Sequence, residues 1–77
     1  MNKREAQFIS DKAISALKEI RIKKNISQYK MAKDIGMSKS SILYIENLTQ
    51  KPSLYTTILI ADYLEVKLFE ILKENNI

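Results

Sequence analysis

The chain has 77 residues, a net charge of +4, and neither cysteine nor histidine. That length fits one domain with a marginal core, which pairing with a second copy would supplement. The missing residue types exclude a disulfide framework, a thiolate metal site and a histidine general base, and no apolar run approaches the ~20 residues that cross a bilayer.

The basic start at Met1–Arg4 has no apolar signal region behind it, so the expectation is a soluble cytoplasmic protein without membrane contact. No glycine-rich phosphate loop and no close carboxylate pair stands out. The sequence therefore predicts no enzyme and no cofactor.

The periodicity predicts five helices and no strand, an all-α fold. Residues 1–11 form an N-terminal extension. In the first helix, Ala6, Ile9, Ala13, Leu17 and Ile20 recur every three or four residues. It either runs unbroken from about Arg4 to Lys24 or starts at Ser10, a good cap, with Asp11 complementing the helix dipole. Asn25 can stop it.

Ser27 can cap a second helix, Gln28 to Ile35, with Met31, Ala32 and Ile35 inward. Ser38 can cap a third, Lys39 to Glu46, with Ile42 and Ile45 inward. After a loop, Asn47 to Pro52, Ser53 can cap a fourth, Leu54 to Leu64. A fifth, about Lys67 to Lys73, follows.

The only glycine, Gly36, lies between the second and third helices. A turn this tight favours positive φ, which glycine adopts at no steric cost. Close approach of the two helices would also explain it, with Ala32 leaving room and Ile42 filling the angle. That is the packing logic of a helix-turn-helix over residues 28–46, although an ordinary helical hairpin shares the pattern.

The run ISQYKMAKDIGMSKSSILYIEN, followed by KPS and later IADYLEV, resembles the phage repressor and Cro-like, or XRE, helix-turn-helix family over about Leu17 to Leu72. The resemblance implies a repressor-like, five-helix domain that binds double-stranded DNA with its third helix in the major groove. Size and build also resemble phage-type repressors and controller proteins of restriction–modification systems.

The charge distribution agrees with a polyanionic partner. Residues 1–26 carry +4, residues 27–52 carry +2 and residues 53–77 carry −2. Each of the two short helices has a lysine in its first turn and no acid, an arrangement that an external phosphate would complement.

With Ile42 and Ile45 in the core, the outward residues of the third helix are Lys39, Ser40, Leu43 and Tyr44. The resemblance carries base reading onto Lys39, Ser40 and Tyr44. Lys39 can donate to guanine, Ser40 can donate or accept, and Leu43 can touch a thymine methyl. No Arg, Asn or Gln opens this helix, so some specificity would come from DNA shape. The resemblance carries phosphate contacts onto Gln28, Ser38 through its backbone, and Asn47. Charge adds Lys30 and Lys51.

Arg21 and Glu46 each sit at the edge of an apolar stripe, and a charge near a core needs a partner. They are expected to pair, as the resemblance also implies, fixing the tilt of the third helix. The sequence departs from the family at Leu48, where glycine is usual. Asn47 is expected to take the left-handed conformation instead.

The fourth helix is apolar nearly all round. Leu54, Ile58, Ala61 and Leu64 are expected to face inward. Tyr55, Leu59 and Tyr63 form a second stripe. With Phe69 they suggest a dimer interface within residues 53–73, unless Phe8 and Ile9 of the extension cover them. The leading expectation is a homodimeric, sequence-specific regulator on a near-palindromic operator. The alternative is an antitoxin-type module that masks a toxin. RNA polymerase or a toxin are the further partners such a domain admits.

Overall fold

A computed structural model describes residues 1–75. Their helices are α1 (Lys3–Lys23), α2 (Gln28–Ile35), α3 (Lys39–Glu46), α4 (Leu54–Tyr63) and α5 (Leu68–Glu74), with no strand among the described residues. The helices α2 and α3 keep their expected bounds, and α4 and α5 shift by one residue.

The starts follow from local chemistry. The hydroxyls of Ser27, Ser38 and Ser53 accept hydrogen bonds from the N–H groups of Lys30, Ser41 and Thr56 at 2.9, 3.1 and 3.0 Å. Each such cap stabilises its helix by about 1 kcal/mol. The first helix runs unbroken, as one of the two expectations had it. Its cap is Asn2, in a reciprocal box with Glu5, so Ser10 lies inside the helix.

The ends share one device. Within two residues of the end of α1, α2, α3 and α4 the chain turns left-handed, at Asn25, Gly36, Leu48 and Glu65, with φ of 58°, 75°, 67° and 63°. The N–H of each returns to the carbonyl three residues earlier, and the next N–H reaches back five residues. The second set of bonds is Ile26 to Arg21, Met37 to Ala32, Thr49 to Tyr44 and Val66 to Ala61.

Two expectations change here. A Cβ on Gly36 would meet nothing within 4 Å, so φ alone, and not close approach, explains the glycine. Asn47 stays at φ −89°, and it is Leu48 that occupies the left-handed position. The turn geometry fixes which residue that is: the bonds back to Ile45 and Tyr44 must come from Leu48 and Thr49.

The core joins Ala13, Ile14 and Leu17 of α1 to Met31 and Ala32, Ile42 and Ile45, Ile60 and Ala61, Leu64, and Ile71. The expected inward stripe of α4 is corrected. Leu54 and Ile58 are 69% and 49% exposed, and Ile60 is buried in their place. A helix apolar on every side has no phase to read, so neighbouring helices decide which residues go in.

In α1 the burial begins at Ala13. Ala6 is exposed and Ile9 half-buried, so the first turns of α1 add nothing to the core. Twenty-one residues span about 31 Å, close to the 35 Å long axis of the molecule.

Candidate nucleic-acid interface

The two short helices meet at Gly36 with Met31, Ala32, Ile42 and Ile45 buried between them and the rest of the core. That burial turns the opposite side of α3 outward. Lys39, Ser40, Leu43 and Tyr44 are all exposed there. Lys39 and Leu43, and likewise Ser40 and Tyr44, stand four residues apart, so they share one face. The structure therefore brings these four residues together as a single outward surface.

Behind that surface lies a buried ion pair. The Arg21 guanidinium donates from Nε and Nη2 to the two Glu46 oxygens at 2.7 and 2.9 Å, both side chains being buried. Arg21 also donates to the Ile26 carbonyl. Such a planar, bidentate pair orients both partners. The expected Arg21–Glu46 link is thus present, and it joins α1 to the last turn of α3.

A third member was not foreseen. The Gln28 amide donates to Glu46 Oε1 at 3.0 Å. Gln28 is half-buried, with one amide hydrogen spent on this network and the rest of the amide at the start of α2. Contacts 18 residues apart leave no periodic trace in a sequence.

The remaining residues expected at phosphates lie around α3. Ser38 is exposed, and its hydroxyl is engaged with Ser41. Asn47 is exposed, and its side-chain oxygen accepts from the Thr49 N–H and hydroxyl. Lys51 is exposed and shares a cleft with Lys3, Ala6, Gln7 and Ser10 of α1. Lys30 is exposed but lies 3.0 Å from Asp34, so part of its charge is compensated.

Asp34 carries a second contact. The Tyr63 hydroxyl donates to Asp34 Oδ2 at 2.6 Å, linking α2 to α4. This hydrogen bond, and then Lys30, hold Asp34 below the usual carboxylate range. Asp34 in turn pushes the Tyr63 hydroxyl up. The Lys30–Asp34 spacing is legible in the sequence, and the Tyr63 contact is not.

Neither α2 nor α3 has an acid in its first turn, and each has a lysine, Lys30 and Lys39. The helix α4 also lacks an acid there, so the added lysines, more than the missing acids, set the two short helices apart.

Among the residues expected at a dimer seam, Tyr55 and Phe69 are exposed and Leu59 is half-buried. Tyr63 packs against the core as well as reaching Asp34. The structure places Phe69 beside Ile58 along a groove between α4 and α5, together with Ala61, Asp62 and Val66.

Among the described residues, no helix is long and apolar enough to cross a membrane, and no group of side chains has the composition of a metal site.

Comparison with known families gives a match to the helix-turn-helix family model over residues 17–71. No curated protein and no solved structure matches the chain. The matched span starts within α1 and ends within α5, and it contains the Arg21–Glu46 pair, the turn at Gly36 and the outward face of α3. The chain belongs to the phage repressor and Cro-like (XRE) helix-turn-helix family of DNA-binding regulators.

Proposed function

We propose that the protein is a cytoplasmic, homodimeric transcriptional regulator that reads a near-palindromic operator. The observation that carries this is the single exposed face of Lys39, Ser40, Leu43 and Tyr44, propped outward by a buried bidentate ion pair. In this reading the face enters the major groove. Lys39 donates to guanine O6 and N7, Ser40 hydrogen-bonds a base edge, Leu43 meets a thymine methyl, and Tyr44 donates or packs on sugar.

Around it, Ser38 offers a backbone N–H to a phosphate. Gln28 uses its remaining amide hydrogen, Asn47 its amide nitrogen, and Lys30 and Lys51 their charge. The Ser38 and Asn47 side-chain oxygens are engaged within the chain, which leaves donors rather than acceptors for an anion.

The dimer is proposed to form through α4 and α5. Tyr55 and Phe69 are open, with Leu54 and Ile58 beside them, and Leu59 and Tyr63 form the margin. A two-fold axis there would set two copies of α3 about 34 Å apart, one DNA turn. The regulator then acts by occupying its site.

A footprint on the DNA upstream of its own gene, at two salt concentrations, tests this. The reading requires protection of two half-sites about one turn apart that weakens steeply with salt. Uniform coverage without a preferred site would contradict it.

A further inference from the structure

The first ten residues of α1 lie outside the span matched by the family and outside the core, yet they are built as continuous helix. One side of this extension leans over the loop between α3 and α4. Lys3, Ala6, Gln7 and Ser10 line a cleft of about 450 Å³ whose opposite wall is Lys51. Lys3 and Lys51 thus border one open space, and no acid lines it. Neither lysine has an ion-pair partner among the described residues. An anion entering this cleft would meet cationic side chains on both walls and no acid.

We propose that this cleft holds a backbone phosphate of duplex DNA, with Lys3 as a phosphate contact beyond the helix-turn-helix. The inference rests on the reading that α3 docks in the major groove, since the α3–α4 loop that carries Lys51 leaves directly from the end of that helix. An unbroken α1 holds Lys3 over the loop as a fixed strut. No glycine or proline interrupts residues 3–23. The contact is electrostatic and sequence-blind. It extends the footprint at the flank of each half-site and leaves base preference unchanged.

The test compares Lys3→Ala, Lys51→Ala and Lys12→Ala, with Tyr44→Ala as reference. Lys12 lies nine residues from Lys3, two and a half turns on, and so on the far side of the same helix. Its ammonium sits 5.7 Å from the centroid of the Phe8 ring. Affinity for an operator duplex and a random duplex is measured from low to moderate salt.

Losing one phosphate contact should reduce the slope of log affinity against log salt by about 0.9. The expected result is that reduction for Lys3→Ala on both duplexes, loss of flank protection in a hydroxyl-radical footprint, and an unchanged slope for Lys12→Ala. Trimming the duplex to the half-sites should abolish the effect of Lys3→Ala. Equal losses for Lys3→Ala and Lys12→Ala would reduce the effect to net charge and overturn the proposal. No effect of Lys3→Ala, with Tyr44→Ala still impairing operator binding, would overturn the cleft while leaving the docking of α3 intact. No effect of any of the four would overturn both.

Discussion

Arg21 and Glu46, 25 residues apart, meet through two parallel hydrogen bonds of 2.7 and 2.9 Å in a buried setting, with Gln28 closing on the same carboxylate. Removing one partner strands a charge in the interior. Arg21→Ala or Glu46→Ala should cost about 3 kcal/mol. A domain of this length has only about 4–12 kcal/mol in total, so Tm should fall by about 10 °C or more. Replacing both with apolar residues, Arg21→Met with Glu46→Leu, should cost less than either single change. Thermal unfolding of the three variants checks this, and a double variant worse than both singles would refute it.

The two left-handed turns on either side of α3 should respond with opposite sign. Leu48 holds φ 67°, where a Cβ costs about 1–2 kcal/mol. After the entropy that glycine loses on folding, Leu48→Gly should stabilise by about 0.5–1 kcal/mol. Gly36→Ala should destabilise by about 1 kcal/mol, from conformation alone, because the space around Gly36 is open. Chemical denaturation of both variants measures the two signs. A neutral Gly36→Ala would contradict the assignment of the glycine to its φ.

The Asp34–Tyr63 contact predicts a pH window. Asp34 is held below its ordinary value by the Tyr63 hydrogen bond and then by Lys30, so its contribution is present above pH ~4 and is lost as acid protonates it. Tyr63 is pushed above its ordinary value by Asp34, so its contribution is present below pH ~10 and is lost as alkali ionises it. The Tm advantage of the wild type over Tyr63→Phe should be level between those limits and shrink at both ends. An advantage that does not change with pH would mean the hydroxyl is not bound to the carboxylate.

Salt dependence separates phosphate contacts from base contacts. Lys51→Ala should lower the salt slope by about 0.9 on any duplex. Lys30→Ala should lower it less, because Asp34 already compensates part of the Lys30 charge at 3.0 Å. Titrations at four salt concentrations give both slopes. A larger change for Lys30→Ala than for Lys51→Ala would contradict the placement of these charges.

The helix-turn-helix was legible because its signals are local. Ser27 and Ser38 each begin a helix, Gly36 supplies the left-handed turn between them, and Met31, Ala32, Ile42 and Ile45 repeat at helical spacing. The Arg21–Glu46 pair was legible because two charges bordering apolar stripes must find partners. The buried face of α4 was not, because Leu54, Ile58 and Ile60 are equally apolar and only the packing of the other helices ranks them. The Gln28–Glu46 and Asp34–Tyr63 bonds were not either, since both join residues that only the fold brings near. The Asn2–Glu5 box could have been found, as an Asn followed three residues later by Glu is a helix-start signature.

In the proposed function, base reading depends on the outward face of α3. Lys39→Ala and Tyr44→Ala, titrated against the footprinted operator and a random duplex at one salt concentration, test it most directly. Each should weaken operator binding by about 1–3 kcal/mol, roughly 5- to 150-fold, while random-duplex binding changes much less. Equal losses on both duplexes would show that these side chains do not read bases.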